Sequence, residues 1–241
     1  MANFILIPGA WLGGWCWEKV LPFLEPHTVL TPSLTGLDAK KTSTQGQITV
    51  TTHIKDLVEV FIQSDLNDVI LVGHSYSGFV ITGAADQVSE RIKHLVYLDA
   101  NVPQGEEAFF DAWSENGRNI VRTDAKNAGT PDLWPIPEDV LDTFSEENRK
   151  WVKGNAKSHP IGTFEETVRF DQEIWQSIPK TYILCENGQS SLPNYVEHAK
   201  ISPDWGFETI ASHHWPMFSK PNELANVLIK IAAGPHKASE K

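Results

Sequence analysis

Val69-Ile70-Leu71-Val72-Gly73-His74-Ser75-Tyr76-Ser77-Gly78 is the stretch that decides the fold. Four consecutive apolar residues, preceded by Asp68, read as a strand buried on both faces. The small-residue run from Phe79 to Val88 reads as a helix. Between them stands G-x-S-x-G, which permits a very tight strand-to-helix turn. Glycines two residues either side of the serine let strand and helix close together without side-chain clashes. The start of the helix then presents partial positive charge where negative charge can develop. As a bare pattern the motif is weak evidence, and a plain Gly/Ser turn is the competing reading. Between a buried strand and a helix it marks Ser75 as a candidate nucleophile. His74, next to it, is read as structural and turned away from the site.

Outward from this turn the pattern repeats. Phe4–Ile7 reads as a buried strand stopped by Pro8-Gly9-Ala10, and Trp15–Leu24 follows helical spacing through Trp17, Val20, Leu21 and Leu24. Thr28–Leu30 is a short strand, 35–47 a polar loop, and Val50–Gln63 a helix with Ile54, Leu57, Val58 and Phe61 on one side. Ile92–Leu98 is a strand ending in Asp99-Ala100-Asn101-Val102-Pro103. Alternating strands and helices predict an α/β fold, a mostly parallel doubly wound sheet. After Pro103 the composition shifts to Asp, Glu, Asn, Trp and Pro, and residues 104–178 are expected to be a helical cap without strands. Strands resume at Thr181–Cys185 and Phe207–Ile210, and Pro221–Ala232 is a closing helix. The core is thus expected over 1–103 and 179–235, with a disordered tail over 236–241.

The chain has 241 residues and a formal net charge of -11. A chain this long can bury roughly 70–75% of its unfolded surface, so its core needs no disulfide or metal. The acidic balance and the scattered Lys and Arg argue against nucleic-acid binding. No stretch approaches the ~20 apolar residues that span a bilayer, and no secretory leader is visible. Cys16 and Cys185 match no metal spacing and read as reduced thiols, which together point to a soluble cytoplasmic protein.

A serine hydroxyl needs a base, and the base an orienting acid. After the last strand, Ala211-Ser212-His213-His214-Trp215-Pro216-Met217 offers two adjacent histidines. For the acid, the loop after Cys185 contains Glu186 but no Asp up to Ser191. Asp99, at the end of the strand after the nucleophile helix, is favoured over Glu186, because neighbouring parallel strands end on the same edge.

At these segments the chain resembles the small α/β-hydrolase esterases related to plant methylesterases and hydroxynitrile lyases, and their bacterial pyrethroid-hydrolase-like relatives. The likeness rests on Phe4 to Trp11, Gly13 to Trp17, Thr31 to Gly36, Gly73 to Gly78, Leu95 to Pro103 and Asp204 to Leu224. It implies the α/β-hydrolase fold and ester hydrolysis without cofactor or metal, acting on a small-molecule ester as monomer or homodimer. It selects His214 over His213, since the family's catalytic His precedes a Met by three residues. It places the oxyanion donors at the backbone amides of Ala10 and Tyr76, although Pro8-Gly9 stands where the family has His-Gly. The Asp missing after Cys185 is also missing in the bacterial subgroup, which supports Asp99. Trp11, Trp15, Trp113, Trp134 and Trp215 are candidates to wall the substrate pocket, with core packing an equal alternative for each. Cyanohydrin cleavage ranks low, because Trp215 stands where the lyases carry Lys. A non-catalytic receptor on the same scaffold is the third alternative.

Overall fold

The computed structural model describes residues 1–38, 47–188 and 193–234; the expected tail and Gln189 to Ser191 lie outside the described residues. A six-stranded sheet forms the centre. Its strands are β1 (Asn3–Ile7), β2 (Thr28–Leu30), β3 (Val69–His74), β4 (Ile92–Leu98), β5 (Lys180–Cys185) and β6 (Trp205–Ile210), in the order β6-β5-β4-β3-β1-β2. Every pairing among the described residues of this sheet is parallel. All six strands therefore end on one edge. β3 and β1 are buried along nearly their whole length, which explains their unbroken apolar runs.

The chain steps from β1 to β2, then returns past β1 to β3 and continues outward through β4, β5 and β6. Helices α1 (Val50–Ser64) and α2 (Ser77–Ala85) pack together, as the right-handed rule for parallel crossovers requires if both lie on one face of the sheet. The terminal helix, Pro221–Ala232, packs against the turn Leu21–Phe23. Thr49 and Thr52 form a reciprocal cap at the start of α1, while His53, Ile54, Leu57 and Phe61 form its buried stripe.

Several expectations need correction. Trp15–Leu24 is not a helix but two short 3₁₀ turns, Gly14–Trp17 and Leu21–Phe23. Pro22 cannot donate within a helix interior, and Gly14 lies against the carbonyl of Thr31, leaving no room for a regular helix to start. Trp17, Val20 and Leu24 are buried all the same, so the spacing reported burial rather than helicity. The 104–178 segment does contain strands. Glu107–Ala108 pairs with Thr167–Val168, and Leu133–Trp134 with His159–Pro160, both antiparallel and two residues long. Its helices include Glu115–Asn127 and Glu146–Asn155, each capped by a serine, Ser114 and Ser145. A further helix at Pro193–Ile201, between β5 and β6, has no counterpart in the sequence reading.

Candidate active site

The residues singled out from the sequence gather at the carboxyl edge of the sheet because the register puts them there. Ile7 pairs with Gly73, His74 with Leu98, Leu98 with Ile183, and Ile210 with Cys185. The chain leaves β3 at Ser75, β4 at Asp99, β1 toward Ala10 and β6 toward His214. Ser75 has φ 54°, a left-handed conformation costly for a side-chain-bearing residue. Its amide donates to Leu98 O at 3.2 Å, and its carbonyl accepts from Asn101 N at 3.1 Å. A Cβ on Gly73 would come within 2.7 Å of Ser77 O, and one on Gly78 would overlap the carbonyl of Asn101. The two glycines of the motif are thus demanded by close approach. Ser77 Oγ donates to Pro8 O, tying the turn to the loop after β1. Trp11 (φ 63°) and Asp99 (φ 42°) are left-handed too, so three of the five such non-glycine residues among those described stand at this edge. Strain of this kind persists where surrounding structure holds it, and it concentrates at functional sites.

Asp99 is 3% exposed. Its Oδ2 lies 2.6 Å from His214 Nδ1, and its Oδ1 accepts the Cys185 amide at 3.2 Å. With the carboxylate accepting at Nδ1, the proton sits there, and Nε2 is left as the basic nitrogen. Glu186 is exposed, and its backbone amide is bonded to Ile210 O; the structure does not bring its carboxylate to His214. His213 is also exposed and pairs through Nδ1 with Asn187 O at 2.8 Å. Ser75 and His214 line the same cavity, and their side chains form no hydrogen bond with each other.

His74 does not line the cavity; its ring lies behind the His214 loop. Fully buried, it donates from Nε2 to the carbonyl of His214 at 2.8 Å, and the two rings lie 4.7 Å apart. Burial, with His214 nearby, pushes its pKa well below the usual imidazole value, so it stays a neutral prop beneath the His214 loop.

The cavity encloses about 570 Å³, within the range of small-molecule sites. Ala10 and Tyr76 line it, and their backbone amides donate to no acceptor among the described residues. Unpaired amides are uncommon in a protein interior, which makes this pair available to a ligand oxygen. Trp11, Trp113, Trp134 and Trp215 line it. Trp15 does not; its ring packs on Trp151 and Phe218 at 5.7 and 6.1 Å, where the 3₁₀ turn meets the Glu146–Asn155 helix. The sequence reading missed Phe109, Phe164, Asp142 and Thr143, all from the 104–178 segment. Phe109 and Phe164 stack at 4.7 Å and edge onto Tyr76, while Thr143 accepts the Trp215 indole at 3.0 Å. Cys185 is buried, and burial raises its thiol pKa, which leaves it unreactive beside Asp99. Among the described residues no cluster of His, Cys, Asp and Glu is arranged to hold a metal, and no helix is long and apolar enough to cross a membrane.

The profile of the α/β hydrolase family matches residues 4–227. A carbendazim-hydrolyzing esterase from a Nocardioides strain is 33% identical over 247 positions, covering 96% of this chain and all of that one. Methylesterase 1 of Arabidopsis thaliana is 26% identical, covering 95% of each chain. Among solved structures, an extracellular α/β-hydrolase from a Paenibacillus species superposes with a TM-score of 0.81 at 23% identity, covering 95% of this chain and 98% of that one.

Proposed function

The chain belongs to the α/β-hydrolase family and is an ester hydrolase, and we propose that it cleaves small to medium hydrophobic carboxylic esters through a triad of Ser75, His214 and Asp99. One observation carries this assignment: a buried carboxylate, Asp99, holds the Nδ1 side of His214 at 2.6 Å in the cavity that Ser75 lines. His214 Nε2 takes the Ser75 proton as Oγ attacks the ester carbonyl. The tetrahedral oxyanion is received by the Ala10 and Tyr76 amides, each donor worth about 2.7–4 kcal/mol in such sites. His214 then passes its proton to the departing alcohol, and water, activated by the same nitrogen, releases the acid from Ser75. Substrate binding closes the Ser75–His214 hydrogen bond, as catalytic contacts often tighten only in the complex. The route uses the chain's own residues and water, with no cofactor.

The aromatic wall of Trp11, Phe109, Trp113, Trp134 and Phe164 suits a flat apolar group, while Asp142, Thr143 and Asn187 give the cavity a more polar side. In this reading, residues 104–178 act as the cap that shapes the pocket. A cytoplasmic location belongs to the same reading and is supported by the free, buried thiols of Cys16 and Cys185.

The test is a short p-nitrophenyl ester with wild type and Ser75→Ala, alongside fluorophosphonate labelling mapped by mass spectrometry. Wild type should hydrolyse the ester and carry the label on Ser75, and the variant should do neither while remaining folded. Activity surviving in Ser75→Ala would overturn the triad. An unlabelled, inactive wild type would favour a non-catalytic receptor.

A further inference from the structure

The 104–178 segment packs rings against Tyr76 on the oxyanion side of the cavity, and it reaches the Ala10 side by hydrogen bonds to Trp11. All three polar groups of Trp11 bond to that segment. The backbone amide donates to His159 Nδ1 at 3.3 Å, the backbone carbonyl accepts from Lys157 N at 3.0 Å, and the indole donates to Trp134 O at 3.1 Å. Trp134 and His159 are themselves cross-strand partners in the two-residue ribbon. Both peptide planes flanking Trp11 are therefore fixed from outside the loop that carries it.

Trp11 needs to be held. Its φ of 63° is unfavourable for a bulky residue by about 1–3 kcal/mol and relaxes unless neighbours oppose it. Relaxation would rotate the Ala10–Trp11 peptide and carry the adjoining Ala10 amide with it.

The imidazole is set up to accept. His159 is fully buried, and its ring stacks on Phe164 at 4.5 Å. Nε2 lies 2.8 Å from Thr163 Oγ1, whose hydroxyl donates to Pro160 O at 2.7 Å. Thr163 thus receives the Nε2 proton, and Nδ1 is left with its lone pair toward Trp11. Burial, then the nearby His53, keeps the His159 pKa well below the usual value, so the ring stays neutral and the acceptor persists.

We propose that the Leu133–Trp134/His159–Pro160 ribbon clamps the oxyanion loop, with His159 as a positioning residue that holds the Ala10 amide where it can donate to the tetrahedral intermediate. The inference rests on the serine-esterase reading above. It makes the cap a working part of the oxyanion site as well as a pocket wall.

Two polar variants separate this role from stability. In His159→Asn, Oδ1 takes the place of Nδ1 and keeps the acceptor for Trp11. In His159→Gln, Nε2 keeps the donor to Thr163 but loses that acceptor. Losing an oxyanion donor outright costs about 10²–10³ in kcat. Displacing one should lower kcat of His159→Gln about tenfold or more, with KM within about threefold of wild type. His159→Asn should stay within about threefold in both. A trifluoromethyl ketone, which binds as an oxyanion adduct on Ser75, should lose affinity for the Gln variant by the same factor as kcat. The parent methyl ketone should not. Equal loss in both variants, loss carried by KM, loss that tracks melting temperature, or failure of both variants to fold would assign His159 to stability and overturn the proposal. A wild type that neither turns over the chromogenic ester nor takes the fluorophosphonate would instead fail the esterase reading on which the clamp depends.

Discussion

Asp99→Asn is the sharpest perturbation of the proposed mechanism, because the surroundings dictate how the amide must sit. The Cys185 amide points at Oδ1 from 3.2 Å and requires an acceptor there. Asn therefore places its oxygen on Cys185 and its NH₂ against His214 Nδ1. That nitrogen must then accept, which moves the imidazole proton to Nε2, where it faces Ser75 and blocks the base. The opposite rotamer sets two buried donors against each other at Cys185, at a cost of about 1–3 kcal/mol. Exchanging a charge-assisted bond for a neutral one removes a further ~1–2 kcal/mol from the imidazolium formed in the transition state. The sum, about 2–5 kcal/mol, is a fall in kcat of roughly 30- to 5,000-fold, approaching the ~10⁴ known for such a change in other triads. The assay is steady-state hydrolysis of a p-nitrophenyl ester, with melting temperature as the folding control. Glu186→Gln, altering an exposed carboxylate, should remain within about twofold of wild type. An Asp99→Asn enzyme within threefold of wild-type kcat, or a Glu186→Gln enzyme that loses activity, would refute the reasoning.

Gly78→Ala puts a methyl group into the carbonyl of Asn101; its melting temperature should drop sharply or folded protein should not accumulate, and an unchanged melt would contradict the packing described at the turn. His94, partly buried and bonded to Thr181 Oγ1 at 2.8 Å, has its pKa lowered from 6.5 to about 4, chiefly by desolvation. The unfolded chain binds this proton first, so stability is full above about pH 6.5 and declines as pH falls toward 4; denaturant melts across that window should show His94→Gln with a shallower decline, and equal slopes would count against it. Trp134→Ala should raise KM several-fold by opening the aromatic wall, while Trp15→Ala, outside the cavity, should lower melting temperature and leave KM alone; a KM effect at Trp15 would return it to the pocket.

The legible parts of the site share a physical origin. Ser75, Asp99 and the loop carrying His214 each follow directly from a strand, and parallel strands bring their ends to one edge whatever lies between them. Local patterns that locate strands therefore locate these residues as well, even where Glu186 stands as a competing carboxylate. Helices α1 and Pro221–Ala232 were legible for a similar reason, since their apolar stripes run over three turns or more. Trp15–Leu24 misled because burial at Trp17, Val20 and Leu24 is achieved by tight turns around Pro22, and spacing cannot tell the two apart. Pro193–Ile201 escaped notice because its apolar stripe is faint, with Val196 and Ala199 its buried residues.

Most of the rest of the cavity wall comes from 104–178, and there local reading offers little beyond the tryptophans. A two-residue strand such as Leu133–Trp134 is too short to show any period, and its partner lies 25 residues on. His159 meets Trp11 across 148 residues of chain, in a contact made by one nitrogen. Such contacts depend on how the cap settles on the sheet. The proposed mechanism thus implies a division of labour along the chain: strand ends fix the proposed triad, and long-range contacts from residues 104–178 shape the pocket wall and hold the strained Trp11. Substitutions in the cap can thus retune substrate choice without moving Ser75, Asp99 or His214, except where they touch the His159–Trp134 ribbon. There, pocket shape and oxyanion geometry are coupled through Trp11, which lines the one and adjoins the other.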